Sequence, residues 1–364
     1  MKRTRLTSIA FYTLLSFLIG EAGGVFAQDI HFSQFSMTPL NLNPALTGFY
    51  SGDHRAYLNY KGQWAGMGAK GATYRTYMCS YDTRLLTKKF SGGYIGAGFN
   101  AFKDIAGDLG LGTTQFNISV AGIVSINSKQ LISGGIQGGI VQKSINSSAM
   151  KWDEQYDPGT NAYNASLASN DVASIPSHTF GDFSGGIAWN YNANKTSSNK
   201  STTYATNQLK FNLGLSAFHL NKPNQNLNPF NNGVTDNLFA KFIFHGTGLI
   251  PVASSKYQLM PSFAVYKQGP FFELNAGTMV RWIIKGESRY TGYVQGMALS
   301  LGAQYRLGDA LIPMALFEYS DYALGLSYDV NTSSLRGGTQ GRGGVEISLR
   351  YVKPLGVSST RLLD

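Results

Sequence analysis

One cysteine, Cys79, serves 364 residues, so no intrachain disulfide can form and a cysteine-rich metal or disulfide scaffold is excluded. Charged residues make up only 14%, against ~25% in an ordinary soluble domain, which removes charge-driven disorder and coiled coils. After the first few dozen residues no apolar run approaches the ~20 residues that a membrane-spanning helix requires. Glycine and aromatics, by contrast, are plentiful: 43 Gly, 22 Phe, 21 Tyr and 4 Trp. That mixture suits short, closely packed β-strands that meet a membrane interface.

Residues 1–27 read as a secretory signal peptide, with Lys2, Arg3 and Arg5 ahead of the apolar run 6–20 and small residues before Gln28. Cleavage there leaves no N-terminal cysteine, which excludes a lipoprotein. It removes three basic residues and Glu21, lowering the net charge from +10 to +8. Because no Lys/Arg cluster exceeds three residues, the surplus points to an anionic membrane surface or acidic polymer and not to nucleic acid.

Period-two alternation recurs from about residue 54 onward. Phe116, Ile118, Val120 and Val124 alternate with Gln115, Asn117 and Ser119. Phe272, Leu274, Val280 and Trp282 stand against Glu273, Asn275, Gly277 and Arg281. Val345, Ile347, Leu349 and Tyr351 oppose Glu346, Ser348 and Arg350. The polar face is mostly Gly, Ser, Asn and Gln, which suits a confined lumen better than bulk water. Aromatics such as Trp189/Tyr191 and Tyr322/Tyr328 fall toward the ends of apolar faces, where headgroups would lie. The expected fold is all-β: a transmembrane outer-membrane β-barrel of about 14 antiparallel strands over 53–353, closed so that no unpaired backbone meets hydrocarbon.

Strand starts fall near residues 54, 73, 93, 113, 131, 183, 209, 238, 257, 271, 291, 311, 322 and 344. With the N-terminus on the periplasmic side, connections 62–72, 103–112, 143–182, 221–237 and 331–342 face outward, and the short turns 125–130, 251–255 and 320–321 face inward. The long connection 192–207 breaks that pattern, as a flexible insertion or a miscounted strand would. Ahead of the barrel, 28–52 carries Pro39, Pro44 and repeated Asn among the apolar anchors Phe32, Phe35, Leu40 and Leu42. It either enters the lumen as a plug or remains a loose periplasmic segment. Residues 354–364 form a C-terminal tail.

No motif points to catalysis. The five histidines are scattered without metal-ligand spacing, and Asp153, Glu154 and Asp157 lack the pattern of a Ca²⁺ loop. The glycine clusters 93–98 and 134–139 lie inside alternating runs and read as close-packing positions, not nucleotide loops. There is no G-x-S-x-G, and Ser216 and His219, three apart on one expected strand, should face opposite sides. The lumen-facing charges Glu273, Arg281, Glu346 and Arg350 should pair with one another, with a plug or with a ligand.

The segment Gln28-Asp-Ile-His-Phe-Ser-Gln-Phe, followed by Pro39-Leu-Asn-Leu-Asn-Pro-Ala-Leu-Thr-Gly48, resembles the opening signature of the PorP/SprF family of type IX secretion system membrane proteins from Bacteroidetes. Tyr60-Lys-Gly-Gln-Trp64 is similar to the family's Tyr-Arg-x-Gln-Trp, with Lys61 in place of Arg, and Ser80-Tyr-Asp82 to its Ser-Phe/Tyr-Asp. Leu213-Gly-Leu-Ser-Ala-Phe-His219 through Asn224, Gly325 through Leu335 and Gly344-Val-Glu-Ile-Ser-Leu-Arg-Tyr351 resemble later family motifs in the same order. The resemblance implies a non-enzymatic barrel of the cell outer membrane that supports secretion or surface anchoring of cargo, such as adhesins used in gliding motility, through type IX C-terminal signal domains. It also implies contact with a periplasmic, peptidoglycan-associated component of the machinery. No cofactor is expected, and the partners are protein and outer-membrane lipid. The alternative is a porin-like channel for small solutes. Asn41, Asn43, Pro44, Gln63 and Trp64, beside the first strand, are the candidate partner-binding residues, with turn and plug packing as their plainer role.

Loop parity generates a topological test. Protease added to intact cells should cut within 143–182 and leave a tag on 354–364 untouched, and surface exposure of both would break the strand count.

Overall fold

The computed structural model describes residues 29–64, 74–87, 89–90, 92–169, 175–193, 209–227, 236–252, 255–286, 296–334 and 336–353. The expected signal peptide, the C-terminal tail and most of 192–207 lie outside the described residues. The strands are β1 (His54–Gln63), β2 (Tyr74–Leu85), β3 (Gly93–Ala106), β4 (Leu111–Asn127) and β5 (Gln130–Ser144). A two-residue ladder, β6 (Tyr156–Asp157) with β7 (Ala162–Tyr163), follows in a connection. Then come β8 (His178–Asn192), β9 (Lys210–Phe218), β10 (Lys241–Pro251), β11 (Tyr257–Gln268) and β12 (Phe271–Lys285). The last are β13 (Met297–Arg306), β14 (Ala310–Tyr319), β15 (Tyr322–Asn331) and β16 (Arg342–Lys353).

Apart from β6 and β7, these strands form one closed antiparallel barrel of fourteen, each pairing with its neighbour in sequence. Closure is made by β1 against β16, in register from His54↔Lys353 to Gln63↔Gly344. The ring therefore has no free edge, as a structure in hydrocarbon requires.

The two faces separate as the alternation predicts. Phe116, Ile118, Val120 and Val124 are exposed on the outer wall while Gln115, Asn117 and Ser119 are buried inside. At one rim the outward aromatics pair across strands, Tyr322 with Tyr351 and Tyr257 with Trp282.

Several boundaries differ from expectation. Strand β8 begins at His178, five residues before the expected start, because Thr179 through Asp182 continue the alternation and pair with β5. The β3–β4 connection shrinks from the expected 103–112 to a turn over 107–110, in which Gly107 and Gly110 take positive φ. The expected strand start near residue 291 lies outside the described residues, and the described part of β13 runs from Met297. Strands β8 and β9 pair directly, so the count of fourteen holds with no further barrel strand between them.

Nor is the lumen uniformly polar. Ile123, Ile243, Ala264 and Tyr266 point inward and pack with Phe35, Leu42, Ala45, Leu46 and Phe49 of the N-terminal segment. That segment lies inside the ring and descends through three short helical turns, Phe35–Met37, Pro39–Leu42 and Pro44–Leu46. Pro39 and Pro44 each begin a turn, where a missing N–H costs nothing and the fixed φ favours entry. Wall glycines make room for it. A Cβ on Gly96 would stand 2.1 Å from the Thr47 carbonyl oxygen, and one on Gly135 would stand 2.5 Å from that of Pro44. One glycine of each cluster read as packing positions, Gly96 and Gly135, is thus a seat for this chain, while Gly98 and Gly139 pack against neighbouring strands.

Gly96→Val should lower stability by roughly 1–3 kcal/mol through overpacking, read as a lower melting temperature of the folded band in heat-modifiability gels. Gly122→Ala, whose Cβ meets open space, should change it by less than ~0.5 kcal/mol. Equal melting of the two variants would contradict close packing of the segment on β3.

Candidate functional site in the barrel lumen

Arg55 and Lys61 lie six residues apart on β1, so both point inward. Register sets Arg55 opposite Asp82 of β2 and Lys61 opposite Glu346 of β16. The Arg55 guanidinium donates to both Asp82 oxygens at 2.9 and 2.7 Å, and the Lys61 ammonium lies 3.2 Å from Glu346. Each carboxylate also binds backbone of the inner segment. Glu346 accepts the N–H groups of Ser33 and Gln34 at 2.7 and 2.9 Å, and Asp82 accepts that of Gly48 at 2.7 Å. Tyr50 lies against the Arg55 guanidinium, 4.2 Å from carbon to ring centre, and its hydroxyl donates to the Asp82 carbonyl. The first strand is thereby joined to both neighbours and to both ends of the segment. Removing one partner of such a buried pair typically costs ~3–5 kcal/mol.

Between these fixings the segment is held along the wall. The Ser33 hydroxyl donates to Asp329 at 2.7 Å and accepts from Arg306 at 2.6 Å. The Asn43 amide donates to the Ile187 carbonyl at 3.0 Å and lies 3.1 Å from Nε2 of His245. The Thr47 hydroxyl donates to Ser119 and the Ser216 hydroxyl to the Leu42 carbonyl.

Of the four expected lumen charges, Glu346 binds the segment directly. Glu273 lies 3.7 Å from His31 and 3.6 Å from Arg306. Burial, with the Lys61, Arg306 and Lys241 cations around it, keeps His31 well below its usual pKa and neutral, so its approach to Glu273 is no ion pair. Arg281 and Arg350 converge on Glu318 at 2.5 and 2.9 Å. Sequence reasoning missed Glu318, Arg306, Asp329, Arg55, Lys61 and Asp82 as members of this network. Their signal was present, since each sits on the polar side of an alternating strand.

Asp29, at the start of the segment, lies near the β9–β10 connection. His219 bridges two carboxylates there, Asp182 at 2.9 Å and Asp29 at 2.5 Å, and Lys241 lies 2.8 Å from Asp29. The expectation that Ser216 and His219 face opposite sides fails. Strand β9 stops at Phe218, and His219 takes a positive φ of 56°, which turns its ring back into the lumen. The two still form no catalytic pair, since the serine hydroxyl and the imidazole are each engaged elsewhere. The other histidines face Glu273, Tyr81, Asn224 and Asn43. Of the acidic loop trio, Asp157 accepts the Gly159 N–H in a turn.

Among the candidate partner-binding residues, Asn43 and Pro44 are buried beneath the wall, out of reach of a partner while the segment stays seated. Asn41 is half-buried and lines a small cavity with Asp29 and His219. Gln63 ends β1 at the rim of the long connections. Trp64 follows in the left-handed region, its N–H donating to the Gly343 carbonyl and its half-buried indole set edge-on to Tyr74 at 4.9 Å. The residues thus fall into two places, one inside the lumen and one at the rim.

A family model for the type IX secretion system membrane protein PorP/SprF matches residues 24–351. The chain belongs to the PorP/SprF family. As a closed barrel of that family it is a protein of the cell outer membrane and a component of type IX secretion. Searching curated proteins returned no match. Among solved structures it is similar to the P. putida toluene transporter TodX, with 11% identity over 86% of this chain and 92% of that one and a TM-score of 0.40. It is also similar to the translocator domain of the autotransporter NalP from Neisseria meningitidis, with 8% identity over 88% and 96% and a TM-score of 0.32.

In this PorP/SprF protein the His219 cluster carries a pH dependence. Burial opposes the imidazolium, but the Asp29 charge and hydrogen bonds to Asp182 and Asp29 hold its pKa up at about 9, above the ordinary 6.5. A raised folded-state value contributes stability fully below pH ~6.5 and loses it as pH rises through ~9. The folded band should therefore melt at lower temperature at pH ~10 than at pH ~7, and His219→Phe should lose this dependence. A profile unchanged by the substitution would contradict the assignment.

Proposed function

We propose that this barrel supports secretion or cell-surface anchoring of cargo proteins, such as adhesins, by engaging their C-terminal signal domains, and that it works as a filled docking body. The observation that carries this reading is the segment 29–50, bound along the wall from Asp29 to Tyr50 by buried hydrogen bonds and ion pairs. A lumen occupied in this way disfavours the porin-like alternative. Among the described residues the lumen offers no paired nucleophile and base either, which favours a non-enzymatic role. Cargo then meets the rim, where Gln63 and Trp64 stand at the end of β1, while Asn41, Asn43 and Pro44 serve packing of the segment. The opposite rim is the face for a periplasmic, peptidoglycan-associated component of the machinery.

Two measurements test this reading together. Full-length protein in planar bilayers should give no large, steady ohmic channels, and such channels would favour the solute pore. Trp64→Ala should keep heat-modifiable migration while surface retention of the cognate cargo falls several-fold, as for loss of an interface aromatic. Normal cargo display would remove Trp64 from the interface, and loss of the folded barrel would make it structural.

A further inference from the structure

The outer wall is not evenly filled. Across β16, β1, β2 and β3 a groove of about 560 Å³ opens on the lipid-facing side, floored by Leu58, Cys79, Ala101, Ile347 and Leu349. That volume falls within the ~300–1,000 Å³ of sites that take small ligands. The groove exists because Cys79 and Ala101, directly opposed in register, are small where adjoining outward positions carry Leu58, Tyr77 and Phe99. It runs from mid-wall toward the rim of the long connections, where the Tyr60 and Tyr77 rings meet at a tilt, 5.3 Å between centres, and the Tyr60 hydroxyl lies over Gly62.

Two cations stand at that end. Lys103 is paired in register with Tyr77, and Arg75 precedes Tyr77 by two residues on the same outward face. They are diagonal neighbours, at a spacing of ~7–8 Å. Both are exposed, and neither makes an ion pair with a described residue. The adjacent Asp104 does not serve Lys103, because its carboxylate is turned inward to the Thr76 hydroxyl at 2.6 Å. Unpaired cations on a lipid-facing wall are disfavoured unless they reach the interface or a lipid anion. Arginine and lysine side by side suit a phosphate, which accepts charge-assisted hydrogen bonds from both.

We infer that this groove is a lipid-binding site in which Arg75 and Lys103 hold the phosphate of an outer-leaflet saccharolipid whose acyl chain lies along Leu58, Cys79, Ala101 and Leu349. Assignment to the outer leaflet rests on the long connections facing outward. The polar head then sits at the level of Tyr60 and Tyr77, and the chain fills the space left by the two small residues.

The test uses the full-length barrel in dodecyl maltoside, incubated separately with diphosphoryl lipid A, phosphatidylglycerol or phosphatidylethanolamine and read by native mass spectrometry. Lipid A should be retained over both phospholipids, and its bound fraction should fall roughly tenfold in the double variant Arg75→Gln/Lys103→Gln, as for lost charge-assisted contacts. Ala101→Phe, which fills the groove and leaves both cations, should lose it as well, and it decides the matter if the double variant fails to fold. Retention unchanged in the variants would overturn the site. So would a preference for phosphatidylglycerol. Proteolysis of 145–177 on intact cells reads the orientation separately, so failure of the topology and failure of the lipid site remain distinguishable.

Discussion

Glu346 pairs with Lys61 while accepting the amides of Ser33 and Gln34, all out of contact with water. A carboxylate so placed is tolerable only if every partner stays in position. Asp82 repeats the device on the other side of β1, with Arg55 and the Gly48 amide. Seating of the inner segment and closure of the ring are therefore coupled. The same two carboxylates bind the segment near its two ends and tie β1 to the strands on either side.

The rest of the interior follows from that seating. A fourteen-strand ring encloses more space than wall side chains alone would fill, and the segment supplies the missing volume. Where it runs close to the wall, glycines receive it. Where it presents Phe35, Leu42 and Phe49, the wall answers with Ile123, Ile243 and Tyr266. Where its backbone turns leave polar groups unpaired, inward Asn, Ser and charged residues complete them. A lumen read only as polar thus misses its apolar third partner, the segment itself.

The motifs that carry the family resemblance coincide with these fixings. Ser33, Gln34, Asn43 and Gly48 lie in the opening signature, Lys61 and Trp64 in the second, Asp82 in the third, His219 in the fourth and Glu346 in the last. Each was legible as a motif residue, but its task was not. Lys61 in place of the usual arginine retains the charge that pairs with Glu346, although it forgoes the bidentate geometry seen at Arg55.

The number of strands, their faces and the membrane they occupy were determined by the sequence itself. Lipid on one side and a confined interior on the other impose a period of two that is written locally, residue by residue. The turn at His219 escaped that logic, because a single left-handed residue ends a strand without changing the apparent pattern. Only the tertiary structure decided that residues 29–50 lie inside the ring, that Ser33 meets Glu346 from 313 positions away and that Arg281 and Arg350 share Glu318. Such contacts depend on ring closure and on the register of every intervening pair. No local pattern encodes them, since each joins positions brought together by the closed sheet alone.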